Sequence, residues 1–374
     1  MADAQGRTWL ATRWLRLNGP DRVAGVDLAR GLAVLGMFAA HLLWIRDPFR
    51  WGEPSTWIAV VDGRSSILFA TLAGVSIGLA TGGGTPVRGE RLRVARIRLG
   101  VRAAILWVLG VALILTGVPV YVILPAYALL FLLALPLLSL SARSLLMLAA
   151  VLALVMPFAQ VALDELPLWR SPLGEALSLA LGWHYPFTTW IAFLVAGLGV
   201  ARAGVSRLPV QVGALAIGSA LAAVAYGLDA ASGLTAGDES SSYGGALWTA
   251  RAHSSGLLEV IGSGGFALAV IGASLLACRT AVRWVVLPLR AVGAMPLTAY
   301  IGQLIVWAAV ATAVLGAPGD LAGFRDLEPF WPLVGGTVVA CTAWALLIGR
   351  GPFEWLVDRS SRLVADASAD RLVR

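Results

Sequence analysis

The stretch Val23-Ala-Gly-Val-Asp27-Leu-Ala-Arg30-Gly-Leu-Ala-Val-Leu-Gly-Met-Phe-Ala-Ala-His41-Leu-Leu-Trp-Ile45 decides the fold class. Its length matches the roughly 20 residues that an α-helix needs to cross the hydrocarbon core of a bilayer. Asp27, Arg30 and His41 are spaced so that they share one helical face. A charged side chain inside a bilayer costs on the order of 2.5 to 3.5 kcal/mol, so these residues need partners or a function. The stretch therefore predicts a membrane-spanning helix with one polar face.

Similar apolar runs recur along the chain of 374 residues, which is 59% hydrophobic and 13% charged, with a mean hydropathy of +0.82. A soluble domain carries about 25% charged residues and could not bury so much apolar surface. A membrane β-barrel would show alternating segments of about ten residues instead. The sequence predicts an all-α integral membrane protein, a polytopic bundle of about ten transmembrane helices. The predicted spans are 23–45, 62–81, 99–116, 120–140, 145–163, 186–201, 210–228, 256–278, 291–315 and 331–349.

The arginines predict which way the bundle is inserted. The net charge is +7, and most arginines fall in alternate connections, whereas the other connections include the acidic loops, with Asp164, Glu165, Asp320 and Asp326 among their residues. The positive-inside rule then places both termini in the cytoplasm. Residues 1–22 are predicted to form a basic amphipathic segment on the inner leaflet, or a disordered tail; 23–349 form the transmembrane domain, and 350–374 a basic cytoplasmic tail. Basic residues grouped this way indicate topology and no nucleic-acid partner.

The three histidines, His41, His184 and His253, all lie at the predicted outer ends of spans. Histidine can act as a general base or a transient acyl carrier near neutral pH. Taken singly, each is better explained as an interfacial histidine with satisfied hydrogen bonds. Arg30 and Asp27 can likewise form an ion pair at the interface, or Arg30 can line a substrate cavity together with His184.

The second predicted span opens with Asp62 and Arg64. Asp62 suits a helix N-cap, but a cation in the first turn opposes the helix dipole, so Arg64 favours an anion or a developing oxyanion there. Glu259 lies in the first turn of the eighth span, close to His253, where both could bind or deprotonate an acceptor. An N-capping role for the neighbouring serines explains that segment without chemistry.

Polar residues also occur at membrane depth in the ninth span, where Tyr300 and Gln303 share a face. They predict either a cavity lining or hydrogen bonds between helices. Four cytoplasmic arginines are candidates for attracting the phosphates of coenzyme A, namely Arg88, Arg91, Arg93 and Arg96. Neither a phosphate-binding glycine loop nor a metal-ligand spacing occurs, and Cys278 and Cys341 have no partners at such a spacing, so no metal is predicted.

Four stretches resemble bacterial membrane proteins related to the heparan-alpha-glucosaminide N-acetyltransferase catalytic domain. They are Arg22-Val-Ala-Gly-Val-Asp27-Leu-Ala-Arg30-Gly-Leu through His41, Asp62-Gly-Arg64-Ser-Ser through Ser76, His253-Ser254 with Gly262 to Ala269, and Pro288-Leu-Arg290 through Gln303. The resemblance implies a multi-pass acyltransferase of the cell membrane, which takes an acyl group, most often acetyl, from cytoplasmic acyl-CoA and delivers it to an acceptor such as a sugar.

The resemblance assigns the catalytic histidine to the loop after the first span, but the loop 45–56 of this chain contains none. His41 is the nearest candidate, as base or acyl carrier. Arg64 would stabilise the oxyanion, and Asp62 or Glu259 would orient a histidine. Two other hypotheses remain open: a secondary transporter or lipid-handling protein whose polar residues line a path, and a structural subunit without chemistry. The predicted partners are membrane lipids, a glycan or small-molecule acceptor, and further copies of the chain.

Overall fold

The computed structural model describes residues 9–20, 22–50, 52–234, 237 and 242–370. Within these ranges every regular element is a helix, which confirms the predicted all-α class. Residues 1–8 and 371–374 of the predicted terminal segments lie outside the described residues.

The described α-helices follow one another along the chain. They are α1 (Trp9–Asn18), α2 (Ala24–Leu42), α3 (Arg64–Ala80), α4 (Gly89–Ile114), α5 (Leu124–Ala134), α6 (Ala142–Asp164), α7 (Pro172–Leu181), α8 (Phe187–Ala203), α9 (Leu208–Ser232), α10 (Tyr243–Leu247), α11 (Leu257–Ala277), α12 (Val282–Val285), α13 (Leu287–Ala294), α14 (Pro296–Leu315), α15 (Leu321–Asp326), α16 (Phe330–Leu347) and α17 (Pro352–Asp370). Three 3-10 helices, Pro54–Val61, Leu135–Ser139 and Pro167–Arg170, connect some of them.

Eight of the described helices are long and apolar enough to cross a membrane: α2, the segment Pro54–Ala80 that ends in α3, α4, α6, α9, α11, α14 and α16. The fourth and sixth predicted spans fall on the shorter apolar helices Leu124–Ser139 and Phe187–Ala203. Each of the ten predicted spans therefore coincides with an apolar helix. The chain is a multi-pass membrane protein.

The chain divides into two compact units, each built from separate stretches of sequence. The first unit comprises residues 1–66, 116–120 and 273–357, and the second comprises 67–115, 121–272 and 358–374. The boundaries cut through α3, α11 and α17, so these three helices contribute to both units.

Backbone contact between α2 and α13 organises the first unit. A Cβ atom on Gly293 would collide with the carbonyl oxygen of Asp27, and one on Gly31 would collide with the carbonyl oxygen of Leu289. Small residues let two membrane helices approach at backbone distance, where van der Waals packing is strongest. The polar end of the first span is consequently fixed against α13.

In the second unit, α6 packs along α8, and α4 packs along α5. Gly74 and Gly78 of α3 lie in close contact with α8. A Cβ atom on Gly74 would collide with the carbonyl oxygen of Leu194, and one on Gly78 would collide with the side chain of Ala201.

Two predicted boundaries need correction. Helix α4 begins at Gly89 rather than at residue 99, because arginine is a good helix former and its long side chain reaches from a helix end to the headgroups. The predicted span 291–315 is interrupted at Met295, whose backbone angles (φ −137°, ψ 57°) are not helical. Proline disfavours helical geometry in the residue before it, so Pro296 ends α13 and starts α14.

Within the predicted C-terminal tail, residues Pro352–Asp370 form the helix α17. Glu354 in α17 accepts hydrogen bonds from the backbone N–H groups of Leu297 (2.7 Å) and Thr298 (3.1 Å). A carboxylate is favoured at a helix N-terminus, where the N–H groups lack partners within the helix. Glu354 therefore caps the first turn of α14.

Arg202 in α8 ties together several chain segments of the second unit, although it is only 4% exposed. Its guanidinium donates to the carbonyl oxygens of Gly78 (2.9 Å), Gly83 (2.7 Å) and Leu138 (2.8 Å) and to the hydroxyl of Thr81 (2.7 Å). Carbonyl groups at helix C-termini carry partial negative charge and lack partners within the helix. One cation thus satisfies groups at two helix ends.

We expect Arg202→Ala to lower the free energy of unfolding by on the order of 3 kcal/mol, because three buried acceptors and one partly buried acceptor lose their donor. The measurement is unfolding of the purified protein in mixed micelles, followed by tryptophan fluorescence. Arg207→Ala is the matched control, since Arg207 is an exposed arginine five residues away in sequence. Equal stability of the two variants would contradict the structural role of Arg202.

The predicted sidedness is testable with engineered cysteines, because Cys278 and Cys341 are both buried. In intact cells, a membrane-impermeant maleimide should label Arg170→Cys, and should label Arg143→Cys only after the cells are opened. Both positions are exposed, so accessibility within the fold does not separate them. The opposite labelling pattern would invert the topology.

Candidate functional site

His41 lies in the last turn of α2, which ends at Leu42. Its Nδ1 atom is 3.3 Å from the amide nitrogen of Gln303 in α14, within the first unit. The imidazole is half-buried, and Gln303 is fully buried. The structure thus brings together two of the predicted site residues, one from the first span and one from the ninth.

Arg325 fixes the end of α2 on which His41 lies. Its guanidinium donates to the carbonyl oxygens of His41 (3.0 Å) and Ala40 (3.2 Å). Burial lowers the pKa of Arg325, and the negative charge of Asp62 acts against that shift. Asp62 therefore lies within electrostatic range of the same helix end. A cation is favoured there by the helix dipole.

The sequence did not identify Arg325 as a site residue, because it lies in the short helix α15 between two spans and resembles any other loop arginine. One weak signal was available in the sequence. Arg325 is one of few arginines in the connections predicted to lie on the outer side of the membrane, where positive charge is depleted.

Helix α14 presents buried polar atoms that have no hydrogen-bond partner within the described part of the chain. They are the amide oxygen of Gln303 and the indole nitrogen of Trp307, one helical turn further along. Trp307 stacks on Phe324, with ring centroids 4.5 Å apart. A buried polar group without a partner costs about 1 to 3 kcal/mol, so such groups at one place mark a functional candidate.

The start of α3 also belongs to the first unit. Arg64 is the first residue of the helix, and its guanidinium donates to the carbonyl oxygen of Ala59 at 3.1 Å. The next residue, Ser65, packs against Gly36 of α2, so closely that a Cβ atom on Gly36 would collide with its hydroxyl. The first turn of α3 is thereby held beside α2, five positions before His41.

Arg30 forms part of an ion-pair group at the other end of α2. The carboxylate of Asp27 lies 2.6 Å from Arg22 and 3.1 Å from Arg30, and Arg30 also reaches the carbonyl oxygen of Gly293 at 3.5 Å. These contacts support the predicted ion pair between Asp27 and Arg30. Tyr300, the remaining predicted cavity residue of this unit, is buried in α14.

The other two histidines meet in the second unit. The ring of His184 lies 3.7 Å from the ring of Tyr121 and 4.8 Å from that of His253, measured between centroids. Tyr185 donates its hydroxyl to the carbonyl oxygen of Tyr121 at 3.1 Å and also contacts both imidazoles. The predicted residues His184 and His253 are thus neighbours within one aromatic cluster.

Glu259 holds the loop that carries His253. Its carboxylate accepts hydrogen bonds from the backbone N–H groups of His253 and Ser255, both at 2.6 Å, and from the hydroxyl of Ser254 at 3.2 Å. His253 (φ 63°) and Ser255 (φ 55°) adopt left-handed backbone conformations, which are uncommon outside glycine. The carboxylate stabilises this strained turn and so positions the His253 ring.

We expect Glu259→Gln to lower the free energy of unfolding by about 2 kcal/mol, because a neutral amide cannot accept all these bonds as a carboxylate does. Near-ultraviolet circular dichroism should change as well, since the turn carries His253 into an aromatic cluster. Glu175→Gln, an exposed carboxylate in α7, should leave both measurements unchanged. An unaltered Glu259→Gln protein would show that the turn forms without the charge.

The candidate coenzyme A arginines lie around the N-terminus of α4, in the second unit. Arg88 and Arg91 are exposed. Arg93 pairs with Glu90 at 3.3 Å, and Arg96 donates to the carbonyl oxygen of Leu135 at 3.1 Å. A helix N-terminus that carries arginines suits phosphate groups. Among the described residues, there is no group of three or more histidine, cysteine or acidic side chains that could hold a metal ion.

Long apolar helices with polar side chains gathered at their ends define a multi-pass membrane protein with candidate sites at helix termini. A family model described as heparan-alpha-glucosaminide N-acetyltransferase, catalytic, matches residues 22–226, more than half of the chain. The chain belongs to this family, which confirms the resemblance. A second model, described as a protein of unknown function (DUF418), matches residues 211–362. A search of curated protein sequences finds no match.

Proposed function

We propose that this protein is a transmembrane acyltransferase of a bacterial cell membrane, which moves an acetyl group from cytoplasmic acyl-CoA to an extracytoplasmic acceptor such as a sugar. Family membership supports acetyl transfer as the reaction class. The observation that carries the assignment to this chain is the contact between His41 and Gln303, at a helix end that Arg325 fixes.

His41 is the group that handles the proton. In direct transfer, the acceptor oxygen or nitrogen attacks the thioester carbonyl carbon, and His41 takes the proton that the acceptor loses. The carbon–sulfur bond then breaks, and the coenzyme A thiolate leaves and takes the proton from the His41 imidazolium. In the two-step alternative, an imidazole nitrogen first displaces the thiolate to form an acyl-imidazole. The acceptor then displaces the imidazole, and the proton that the acceptor loses passes to the thiolate.

Gln303 can hold either neutral tautomer of His41, because its amide offers both a donor and an acceptor. When the amide oxygen accepts the Nδ1–H proton, Nε2 carries the lone pair that both routes require. When the amide nitrogen donates to Nδ1, the proton lies on Nε2. Gln303 is accordingly a positioning residue for His41, with Tyr300 and Arg30 assigned to the substrate cavity.

The remaining residues supply charge and orientation. Arg64, at the start of α3, would stabilise the oxyanion of the tetrahedral intermediate, and Asp62 would orient His41. In the second unit, Glu259 positions His253, which with His184 would bind the acceptor. The phosphates of acyl-CoA would bind the arginines around the N-terminus of α4, which are Arg88, Arg91, Arg93 and Arg96.

The test is acetyl transfer by the purified full chain, given acetyl-CoA and a mixture of glycans, with released coenzyme A measured by a thiol reagent. We expect His41→Gln to reduce kcat by at least about 100-fold, because general acid–base groups contribute roughly 10² to 10⁴. Arg143→Gln, an exposed change in the second unit, should be near wild type. Absence of coenzyme A release from the folded wild-type protein would refute the proposal.

Gln303→Leu gives a second readout, because it removes the amide beside the His41 ring and keeps a side chain of similar size. We expect kcat to fall, since the imidazole loses the contact that orients it. Wild-type kinetics in this variant would assign Gln303 a packing role alone.

The alternative is a secondary transporter or a lipid-handling protein, and the unpartnered polar atoms of Gln303 and Trp307 within a span would also suit a translocation path. Solute uptake into proteoliposomes that lack acyl-CoA, unchanged in His41→Gln, would favour it over acyl transfer.

A further inference from the structure

Two arginines of α1 converge on one point of the first unit. Helix α1 packs against α16, and the guanidinium groups of Arg13 and Arg16 lie beside Gly349, the second residue after α16. Their nearest nitrogens are 3.3 Å and 3.0 Å from where a Cβ atom on Gly349 would stand. Glycine, with φ 113°, leaves the room that both guanidinium groups occupy.

The convergence concentrates positive charge. Arg16 is an exposed residue, but partial desolvation of its guanidinium lowers its pKa, and the neighbouring charges of Arg13 and Arg350 lower it further. The Nε atom of Arg13 is buried and has no acceptor within the described residues. The sequence of α1 contains no acidic residue. The positive charges of Arg13, Arg16 and Arg350 repel one another, and the Nε–H group of Arg13 donates to no described acceptor. A bound anion would reduce this repulsion and accept hydrogen bonds from the guanidinium groups.

The surroundings are those of a membrane interface. Trp9 (45% exposed) and Trp14 (43% exposed) lie on the same helix, and Arg13 lies 5.8 Å from the Trp9 ring. Trp14 stacks at 5.8 Å on Trp284, against which Arg283 packs at 4.3 Å. Tryptophans collect at the level of the headgroups, and the predicted cytoplasmic side is the leaflet that carries anionic lipids.

We propose that Arg13, Arg16 and the backbone turn at Gly349 form a binding site for the headgroup phosphate of an anionic phospholipid of the inner leaflet. The guanidinium groups bind the phosphate, and the exposed tryptophans contact the glycerol and the upper part of the acyl chains. The site is independent of the acyl-transfer proposal, because it uses none of the residues assigned to that reaction.

The chemistry of a phosphate is shared by coenzyme A, and two features favour a lipid. The exposed tryptophan side chains beside the arginines are typical of the headgroup level of a membrane. The same positive charge also faces the surface on which anionic headgroups are most concentrated. Coenzyme A is therefore the competing outcome of the test.

The experiment is native mass spectrometry of the delipidated full chain, titrated with phosphatidylglycerol or phosphatidylcholine. We expect preferential retention of phosphatidylglycerol, and a loss of roughly tenfold or more in its apparent affinity in the double variant Arg13→Gln, Arg16→Gln. The matched control, Arg143→Gln with Arg207→Gln, removes the same charge at exposed positions of the second unit and should retain the lipid. Arg13→Lys with Arg16→Lys keeps the charge and should lose less than the glutamine pair.

Equal binding of the two lipids, or an equal loss in the control pair, would overturn the proposal. Displacement of phosphatidylglycerol by coenzyme A, together with weaker coenzyme A binding in the glutamine pair, would reassign the arginines to the nucleotide. Thermal unfolding monitored for every variant identifies misfolding, and the lysine pair then decides between lost charge and lost structure.

Discussion

Guanidinium groups that donate to carbonyl oxygens at the ends of helices are the interaction on which both units depend. In a bilayer, water cannot donate hydrogen bonds to these carbonyl groups, and an isolated cation is costly. The guanidinium group supplies the missing hydrogen bonds, and the carbonyl oxygens stabilise its charge. Arg202 does this for α3 and the 3-10 helix after α5, and Arg325 does it for α2. Arg290 joins the end of α1 to α13 in the same way, by donating to the carbonyl oxygen of Leu17.

Because of this constraint, Arg325 has both a structural role and a role at the candidate site. The helix end that Arg325 stabilises is the one that carries His41, so the group that satisfies the backbone also fixes the imidazole. In the second unit, a carboxylate has the corresponding role, because Glu259 binds the backbone of the turn that carries His253. His41 and His253 are thus both positioned through backbone hydrogen bonds made by a charged neighbour.

The fold class and the helices were predictable from the sequence. The thickness of the hydrocarbon core requires a run of about 20 apolar residues for each spanning helix, and such runs are visible in the sequence. The contact between His41 and Gln303 was not predictable, since periodicity gives the face of each helix and not which helices meet. The role of Arg325 was missed for a related reason. A loop arginine carries no periodic signal, and only the fold shows that its nearest acceptors are the carbonyl groups of another span.

The cap that Glu354 places on α14 makes the C-terminal helix α17 part of the support for the candidate site. The break at Met295 leaves the first N–H groups of α14 without partners within the helix, and a carboxylate some 57 residues later in the sequence supplies the acceptor. Gln303, the contact of His41, lies two turns into the same helix. The C-terminal segment therefore stabilises the start of α14. A polypeptide that ends before Glu354 would lose this cap, and the helix that holds Gln303 would be less ordered.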